Sequence, residues 1–192
     1  MRVFISVDLD QPARREIEKL LEILEKKHWK VKWEKPEKLH ITLAFLGEID
    51  QSQTSKLKSQ IQSLNVKPFV ISFKGLGCFP DYEWPRIIWL GLKGDLKSLA
   101  ALQKNVQEKL VQSGFKPDIK PFIPHITIGR IKQARAGERH EIARQIRALA
   151  KMEFKGEWRV DRVVIYESQT LPEGSVYKKL VEIELPLDKR KF

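Results

Sequence analysis

Two tetrapeptides of the form His-x-Thr-x are the residues of this sequence most suited to chemistry. They read His40-Ile41-Thr42-Leu43 and His125-Ile126-Thr127-Ile128, and the chain has only four histidines. Because side chains alternate across a β-strand, each copy places an imidazole and a hydroxyl on one face and two apolar side chains on the other. A single copy is most often a strand that happens to contain a histidine. Two copies in matching segments predict a site.

A pair of imidazoles suits in-line displacement at phosphorus, where the entering and leaving oxygens lie on opposite sides. Opening a five-membered cyclic phosphate by water needs a base on one side and an acid on the other, and histidine performs both roles near neutral pH. The hydroxyls of Thr42 and Thr127 can donate hydrogen bonds to the non-bridging oxygens. The leaving group is an alkoxide in a strained ring, so we expect neither a metal nor another cofactor.

Arg130 is a candidate phosphate ligand, because a guanidinium can bind phosphate through two hydrogen bonds. Simple alternation places it on the face opposite His125, and a bulge at Gly129 would turn it toward the same face. A surface arginine at the end of the strand is the alternative. The first copy has Phe45 at the equivalent position, where we expect a core residue rather than a platform for a nucleobase.

The elements around the two motifs occur twice in the same order. Moving the first half by 85 positions (125 − 40 = 85) places Phe4 on Trp89, Asp10 on Asp95 and Phe69 on Phe154. This repetition predicts a single domain over residues 1–192, built of two lobes at approximately 1–80 and 86–185 that intermix in space and face each other across a cleft. We expect the hinge between them at Gly77–Pro85.

Periodicity and capping signals predict short strands alternating with amphipathic helices. Helices are predicted after the N-caps Asp10, Asp50 and Asp95, and over Glu138–Ala150. The predicted strands are Arg2–Leu9, Leu39–Leu46, Phe69–Phe73, Arg86–Leu92, Ile123–Ile131, Phe154–Trp158, Val160–Glu167 and Lys179–Leu185.

The formal net charge is +11, from 36 Lys and Arg against 25 Asp and Glu. This excess favours a polyanionic partner, with nucleic acid first and an anionic membrane second; a lysine-rich solubilising surface is the alternative. No apolar run reaches the roughly 18–20 residues of a membrane span, and the N-terminus lacks the apolar core of a signal peptide. Cys78 is the only cysteine, which excludes an internal disulfide. We expect a cytoplasmic monomer without a membrane partner, and the charged composition hints at a thermophilic source.

The sequence resembles the 2H phosphoesterase superfamily, and most closely its bacterial and archaeal RNA 2′,3′-cyclic phosphodiesterases, the LigT-like or 2′-5′ RNA ligase family. The resemblance runs from about Arg2 to Leu185. The stretches that carry it are Val3–Val7, Pro36–Gly47, Pro85–Gly91, Pro124–Arg130 and Tyr166–Ser168.

The resemblance implies an α+β fold in which two antiparallel sheets, with helices packed outside, flank a central cleft. It implies that His40 is the proton donor and that His125 is the proton acceptor that activates water. The expected product is an RNA 2′-phosphomonoester. Some relatives also join tRNA halves through a 2′-5′ bond, and the same site could perform that reverse displacement with a 5′-hydroxyl in place of water.

Two other functions are consistent with parts of the sequence, and a third is disfavoured. A non-catalytic RNA-binding protein would use the positive charge and tryptophans such as Trp29, Trp33 and Trp84 for stacking. The same chemistry could act on a small cyclic nucleotide or an ADP-ribose derivative instead of RNA. A metal hydrolase is disfavoured, because no H-x-x-x-H or H-E-x-x-H spacing occurs.

Overall fold

The structure is a computed structural model that describes residues 1–118, 120–172 and 174–186. The last six residues of the expected domain, 187–192, lie outside the described part. Within that part, no helix has the length and apolar character needed to cross a membrane.

The described residues contain nine strands, four α-helices and two short 3-10 helices, Pro36–Lys38 and Gln51–Gln53. The strands are β1 (Arg2–Asp8), β2 (Val31–Trp33), β3 (His40–Glu48), β4 (Phe69–Phe79), β5 (Ile87–Gly94), β6 (His125–Ile131), β7 (Glu153–Val160), β8 (Arg162–Leu171) and β9 (Gly174–Glu184). The helices are α1 (Gln11–Glu25), α2 (Thr54–Gln62), α3 (Leu96–Gln112) and α4 (Ala136–Leu149). The short strand β2 has no counterpart among the predictions, because three residues are too few to show a period.

The strands form two sheets whose neighbouring strands run antiparallel. The first sheet has the order β3-β1-β8-β9, and the second has the order β2-β6-β5-β4-β7. Helices α2 and α3 pack against strands of the first sheet, whereas α1 and α4 pack against strands of the second. This arrangement confirms the expected α+β fold. Each sheet combines strands from both sequence halves, and the lobe boundaries at about 1–80 and 86–185 stay a prediction.

The two helices that follow β1 and β5 begin where the sequence predicts them. The Asp10 carboxylate accepts a hydrogen bond from the backbone N–H of Ala13 at 2.8 Å, and Asp95 accepts one from Ser98 at 3.0 Å. Such caps satisfy backbone donors that the first helical turn leaves free. Along α1 the apolar stripe is buried, with Ile17 and Leu24 each 1% exposed. The caps fix where these helices begin, and the apolar stripe packs the helix against the sheet.

Strand β4 is longer than predicted, so the expected hinge at Gly77–Pro85 is wrong in its first part. The strand continues through Gly75 and Gly77 to Phe79. Gly75, at φ 61°, lies where the β4–β5 register shifts, and a Cβ there would come within 2.0 Å of the Ala150 carbonyl oxygen. A Cβ on Gly77 would meet the Trp89 ring at 2.1 Å. Both glycines therefore allow close packing within the sheet and do not end the strand.

Candidate active site

Both His-x-Thr-x tetrapeptides open a strand, and both histidines line one cleft. His40 is the first residue of β3 and His125 is the first residue of β6. Between them lies a cavity of about 650 Å³ whose walls include His40, Thr42, His125 and Thr127. The alternating residues Ile41, Leu43, Ile126 and Ile128 point the other way and are 0–3% exposed. The structure thus brings together the two predicted His–Thr pairs, one from each sheet.

Each imidazole is held by a carbonyl two residues earlier in the chain. His40 Nδ1 lies 2.6 Å from the Lys38 carbonyl oxygen, and His125 Nδ1 lies 2.6 Å from that of Ile123. Because a carbonyl oxygen can only accept, each Nδ1 must carry a hydrogen. In the neutral ring the lone pair then belongs to Nε2, and in the charged ring Nε2 carries the second proton. Nε2 is therefore the nitrogen that exchanges a proton with a ligand at both histidines.

The two Nε2 atoms differ in their partners. His40 Nε2 lies 3.1 Å from the Thr42 hydroxyl, which donates to it while the ring is neutral. Among the hydrogen bonds of the described residues, His125 Nε2 has no corresponding bond to Thr127. The first pair is tied together within the protein, and the second leaves both groups available to a ligand.

Burial lowers the pKa of both histidines from 6.5. For His40 this desolvation is the largest cause; the bond to the Lys38 carbonyl and the charges of Asp8 and Glu34 oppose it, and His125 adds to the lowering. For His125 the largest cause is again burial, and the hydrogen bond to the Ile123 carbonyl opposes it by raising the pKa. A backbone carbonyl thus stabilises the imidazolium of both histidines against burial, and at His40 the charges of Asp8 and Glu34 add to this support.

Aromatic rings enclose each imidazole. The His40 ring centroid lies 4.9 Å from that of Phe4 and 5.4 Å from that of Tyr177. The His125 ring lies 4.9 Å from that of Phe79, in an edge-to-face contact, and 6.2 Å from that of Trp89. These rings restrict both imidazoles to one orientation and supply the burial that lowers their pKa.

Arg130 lines the same cleft as His125 because of a shift in strand register. Trp89 of β5 pairs with Thr127 and Ile88 pairs with Gly129, so Ile128 is the extra residue. An extra residue reverses the alternation, which places Arg130 on the cleft face. The shift falls one residue before the predicted bulge at Gly129. The Arg130 side chain is half exposed, and its Nε donates to Glu34 Oε1 at 3.1 Å.

The expectation that Phe45 lies in the core is wrong. Strand β3 has the same register shift, with Leu43 as the extra residue between Thr42 and Ala44. Phe45 is consequently turned into the cleft, and it is 54% exposed. The equivalent positions of the two motifs therefore present an aromatic ring on one side and a guanidinium on the other.

Further polar residues of the cleft have no motif in the sequence. They are Arg2, Glu34, Lys38, Lys116, Asp118, Ser168, Thr170, Ser175 and Tyr177. Lys38 and Ser168 lie in stretches that carry the family resemblance, and this is the signal that points to them. Tyr177 and Ser175 come from β9, which joins the site through sheet pairing far from the motifs in sequence. The Lys38 ammonium donates to the Ser175 carbonyl at 2.7 Å and ties β9 to the turn before β3.

Other residues discussed from the sequence lie outside the cleft. Cys78 is 5% exposed, and burial raises its pKa to about 11, which is typical of a packed thiol. Trp29 and Trp33 pack against the core, whereas Trp84 is 44% exposed beneath the guanidinium of Arg139. Across the described residues, no three His, Cys, Asp or Glu side chains are grouped as metal ligands.

Two facing antiparallel sheets with a His–Thr pair at the start of one strand in each define a two-histidine phosphoesterase architecture. The family model of the 2′-5′ RNA ligase superfamily matches residues 9–171. The chain therefore belongs to the 2′-5′ RNA ligase superfamily, as the resemblance predicts.

Curated relatives extend over nearly the whole chain. The RNA 2′,3′-cyclic phosphodiesterase of Archaeoglobus fulgidus is 36% identical over 180 residues, covering 94% of this chain and 98% of the relative. The protein of the same name from Methanothermobacter thermautotrophicus is 31% identical over 179 residues, covering 92% and 95%. Several such relatives come from heat-loving organisms, including Thermotoga maritima at 31% identity over 96% of this chain and 95% of the relative.

Solved structures share the fold. The crystal structure of TT0787 of Thermus thermophilus has a TM-score of 0.77 at 24% identity, covering 98% of this chain and 100% of that one. The structure of E. coli LigT without ligand has a TM-score of 0.72 at 22% identity, covering 96% of each chain. Further structures of E. coli LigT are complexes with 3′-AMP and with phosphate. At these identities the likeness supports the fold.

Proposed function

We propose that this protein hydrolyses 2′,3′-cyclic phosphate ends of RNA to 2′-phosphomonoesters. The observation that carries the proposal is the meeting of His40 and His125 in one cleft, each with its Nδ1 fixed to a carbonyl and its Nε2 left to exchange a proton. Relatives named RNA 2′,3′-cyclic phosphodiesterase at 31–36% identity support the substrate class.

In the proposed reaction His125 Nε2 accepts a proton from water as the water oxygen bonds to phosphorus. The bond from phosphorus to the 3′ oxygen breaks on the opposite side, and His40 donates its Nε2 proton to that oxygen. The ring opens, the phosphate remains on the 2′ oxygen, and the two histidines end with their protonation exchanged. His125 then releases its proton to solvent and His40 takes one up from solvent, which resets the pair.

Charge on the phosphate is held by donors on both sides of the cleft. The hydroxyls of Thr42 and Thr127 donate to the non-bridging oxygens, and the transition state strengthens these bonds as charge develops. Thr42 is released from His40 Nε2 for this role when the imidazole becomes protonated, because a charged ring no longer accepts. Arg130 supplies a positive charge beside His125.

The electrostatics of the site favour His40 as the proton donor. The bond to the Lys38 carbonyl and the charges of Asp8 and Glu34 stabilise its charged form against burial, whereas at His125 the bond to the Ile123 carbonyl alone opposes burial. A general acid must hold its proton until the leaving oxygen departs, and nearby carboxylates favour that state. His125 has no carboxylate among these influences, so in the proposed reaction it acts in its neutral form and accepts the proton of the water.

RNA, rather than a small cyclic nucleotide, is the proposed substrate. The exposed Phe45 ring offers a stacking surface, and Arg2 and Lys116 extend positive charge along the cleft. The net charge of +11 suits a polyanion larger than one nucleotide. Joining of tRNA halves through a 2′-5′ bond is the reverse displacement, with a 5′-hydroxyl in the position of the water.

The proposal is tested by incubating the protein with an oligoribonucleotide that ends in a 2′,3′-cyclic phosphate, in the presence of EDTA. The expected product carries a 2′-phosphate, which resists a phosphatase specific for 3′-phosphates. A double variant, His40→Ala with His125→Ala, is the control and should retain RNA binding without turnover. A 3′-phosphate product, a requirement for added metal, or full turnover by the double variant would each contradict the proposal.

Two further experiments test the class of substrate and the oligomeric state of the protein. A cyclic mononucleotide assayed beside the oligoribonucleotide should show a lower kcat/KM, and equal values would favour a small-molecule substrate. We also propose a cytoplasmic monomer, and size-exclusion chromatography with light scattering should give a mass near the 22.4 kDa of one chain.

A further inference from the structure

We propose that Asp8 and Tyr166 form a positioning pair that maintains His40 as the proton donor; this inference rests on the proposed function and deepens it. Neither residue belongs to the His-x-Thr-x motifs, and neither lines the cleft that holds the two histidines. They lie on β1 and β8, the two central strands of the first sheet.

Strand register places Asp8 beside His40. The two residues are directly opposite each other in the β1–β3 pairing. Residues opposite each other on antiparallel strands share a face, and their Cβ atoms lie about 4.5–5.5 Å apart. Both His40 nitrogens are already bonded, to the Lys38 carbonyl and to Thr42, so Asp8 acts on the ring through its charge.

Tyr166 fixes the Asp8 carboxylate. Its hydroxyl donates to Asp8 Oδ2 at 2.6 Å. Burial and the bond to Asp8 raise the pKa of Tyr166, so the phenol keeps its proton and remains a donor. The ring is held by stacking on Phe4, at 5.4 Å between centroids and 19° between planes, and Phe4 in turn contacts His40. Tyr166 is therefore joined to the imidazole in two ways, through Asp8 and through Phe4.

The charged and titratable groups around His40 come from several elements. They are Asp8 on β1, Glu34 and Lys38 in the segment between β2 and β3, His125 and Arg130 on β6, Tyr166 on β8 and Tyr177 on β9. Glu34 is bonded to Arg130, which offsets its charge. Asp8 is hydrogen-bonded to a neutral phenol, which leaves its negative charge in place, and Arg14 of α1 is a cation that lines the same cavity as Asp8 and Tyr166.

Among the described residues, no carboxylate–tyrosine pair is bonded or paired beside His125 in this way. The residue opposite it in the β5–β6 pairing is Gly91, which has no side chain. Asp8 therefore acts on one histidine of the two, and this asymmetry is what an acid–base pair with fixed roles requires.

The direct test is an NMR titration of the His40 ring in free protein, which needs no turnover. Asp8→Asn removes a negative charge at constant shape, so the His40 midpoint should fall by about one pH unit. Tyr166→Phe keeps the stacked ring and releases the carboxylate, so a smaller fall is expected. Glu18→Gln is the matched control, because Glu18 and Asp8 line one cavity that is separate from the cleft, and Glu18 is not among the charges that act on His40.

Coupling between the two substitutions separates positioning from a merely structural role. In the Asp8→Asn background, Tyr166→Phe should produce no further change in the His40 midpoint, because its effect passes through Asp8. An unchanged midpoint in Asp8→Asn, or an equal effect of Tyr166→Phe in both backgrounds, would overturn the inference.

Kinetics give the second measurement. In Asp8→Asn the alkaline limb of kcat/KM should move to lower pH by the same amount as the NMR midpoint, so that kcat/KM above this limb falls roughly tenfold. If wild-type protein turns over no cyclic phosphate, the proposed function fails, while the NMR titration still decides the role of Asp8. If wild-type protein is active and the midpoint is unmoved, the pair alone is refuted.

Discussion

The two halves of the cleft carry the same motif but give their histidines different surroundings. Both place the imidazole and hydroxyl toward the cleft, and both fix Nδ1 to a carbonyl two residues earlier. The His40 half adds a carboxylate opposite the ring and a bond from Nε2 to Thr42, whereas the His125 half has Gly91 opposite the ring. Repetition of a motif therefore supplies two similar groups, and their neighbours give them the different surroundings on which the proposed division of roles rests.

The largest effect should come from removing either imidazole. His40→Gln and His125→Gln should each lower kcat on RNA cyclic phosphates by about 10²–10⁴-fold, the range for a general acid or base. Catechol cyclic phosphate then separates the two, because its leaving phenol needs less help from an acid. The His40 variant should recover activity on this substrate and the His125 variant should not. Equal recovery by both would remove the distinction between the halves.

Next in size is the loss of a threonine hydroxyl. Thr42→Ala and Thr127→Ala should each reduce kcat by about 10–1000-fold, as expected when a donor to the transition state is lost. Because Thr42 also bonds His40 Nε2, its variant should in addition move the alkaline limb of the pH profile. Thr→Ser at each position is the control that keeps the hydroxyl. Wild-type rates in both alanine variants would mean that the hydroxyls only shape the strands.

Phe45 and Arg130 occupy equivalent positions and should affect different measurements. Arg130→Gln should raise KM about tenfold on every cyclic phosphate, because it removes a charge from the phosphate. Phe45→Ala should raise KM about threefold to tenfold on RNA and leave catechol cyclic phosphate unaffected, because that substrate has no base to stack. A similar loss on both substrates in the Phe45 variant would show that the ring supports the strand instead of the RNA.

The smallest effect concerns the pH optimum of the unmodified protein. Activity rises as the base loses its proton and falls as the acid loses its own, and burial lowers the pKa of both histidines from 6.5. Both limbs of kcat/KM, which report the free protein, should therefore lie on the acidic side of pH 6.5. A profile of kcat/KM from about pH 4 to 9 checks this. An optimum at alkaline pH would mean that other groups limit the reaction.

Local patterns in the sequence predicted the helices and strands but not the register in which the strands pair. The caps at Asp10 and Asp95 and the alternation that buries Ile41 and Ile126 follow from neighbours in the chain. The prediction failed at Phe45, because a register shift depends on the partner strand. A shift of one residue transfers a side chain to the other face of the sheet.

The sequence by itself determined the two His–Thr pairs, their equivalent positions and the family to which the chain belongs. Tertiary structure alone decided that Asp8 lies opposite one histidine and Gly91 opposite the other, and that Tyr166 and Tyr177 reach the His40 half. The reason is physical: the type and spacing of residues are local properties, whereas the choice of adjacent strands and their register depends on how the whole core packs.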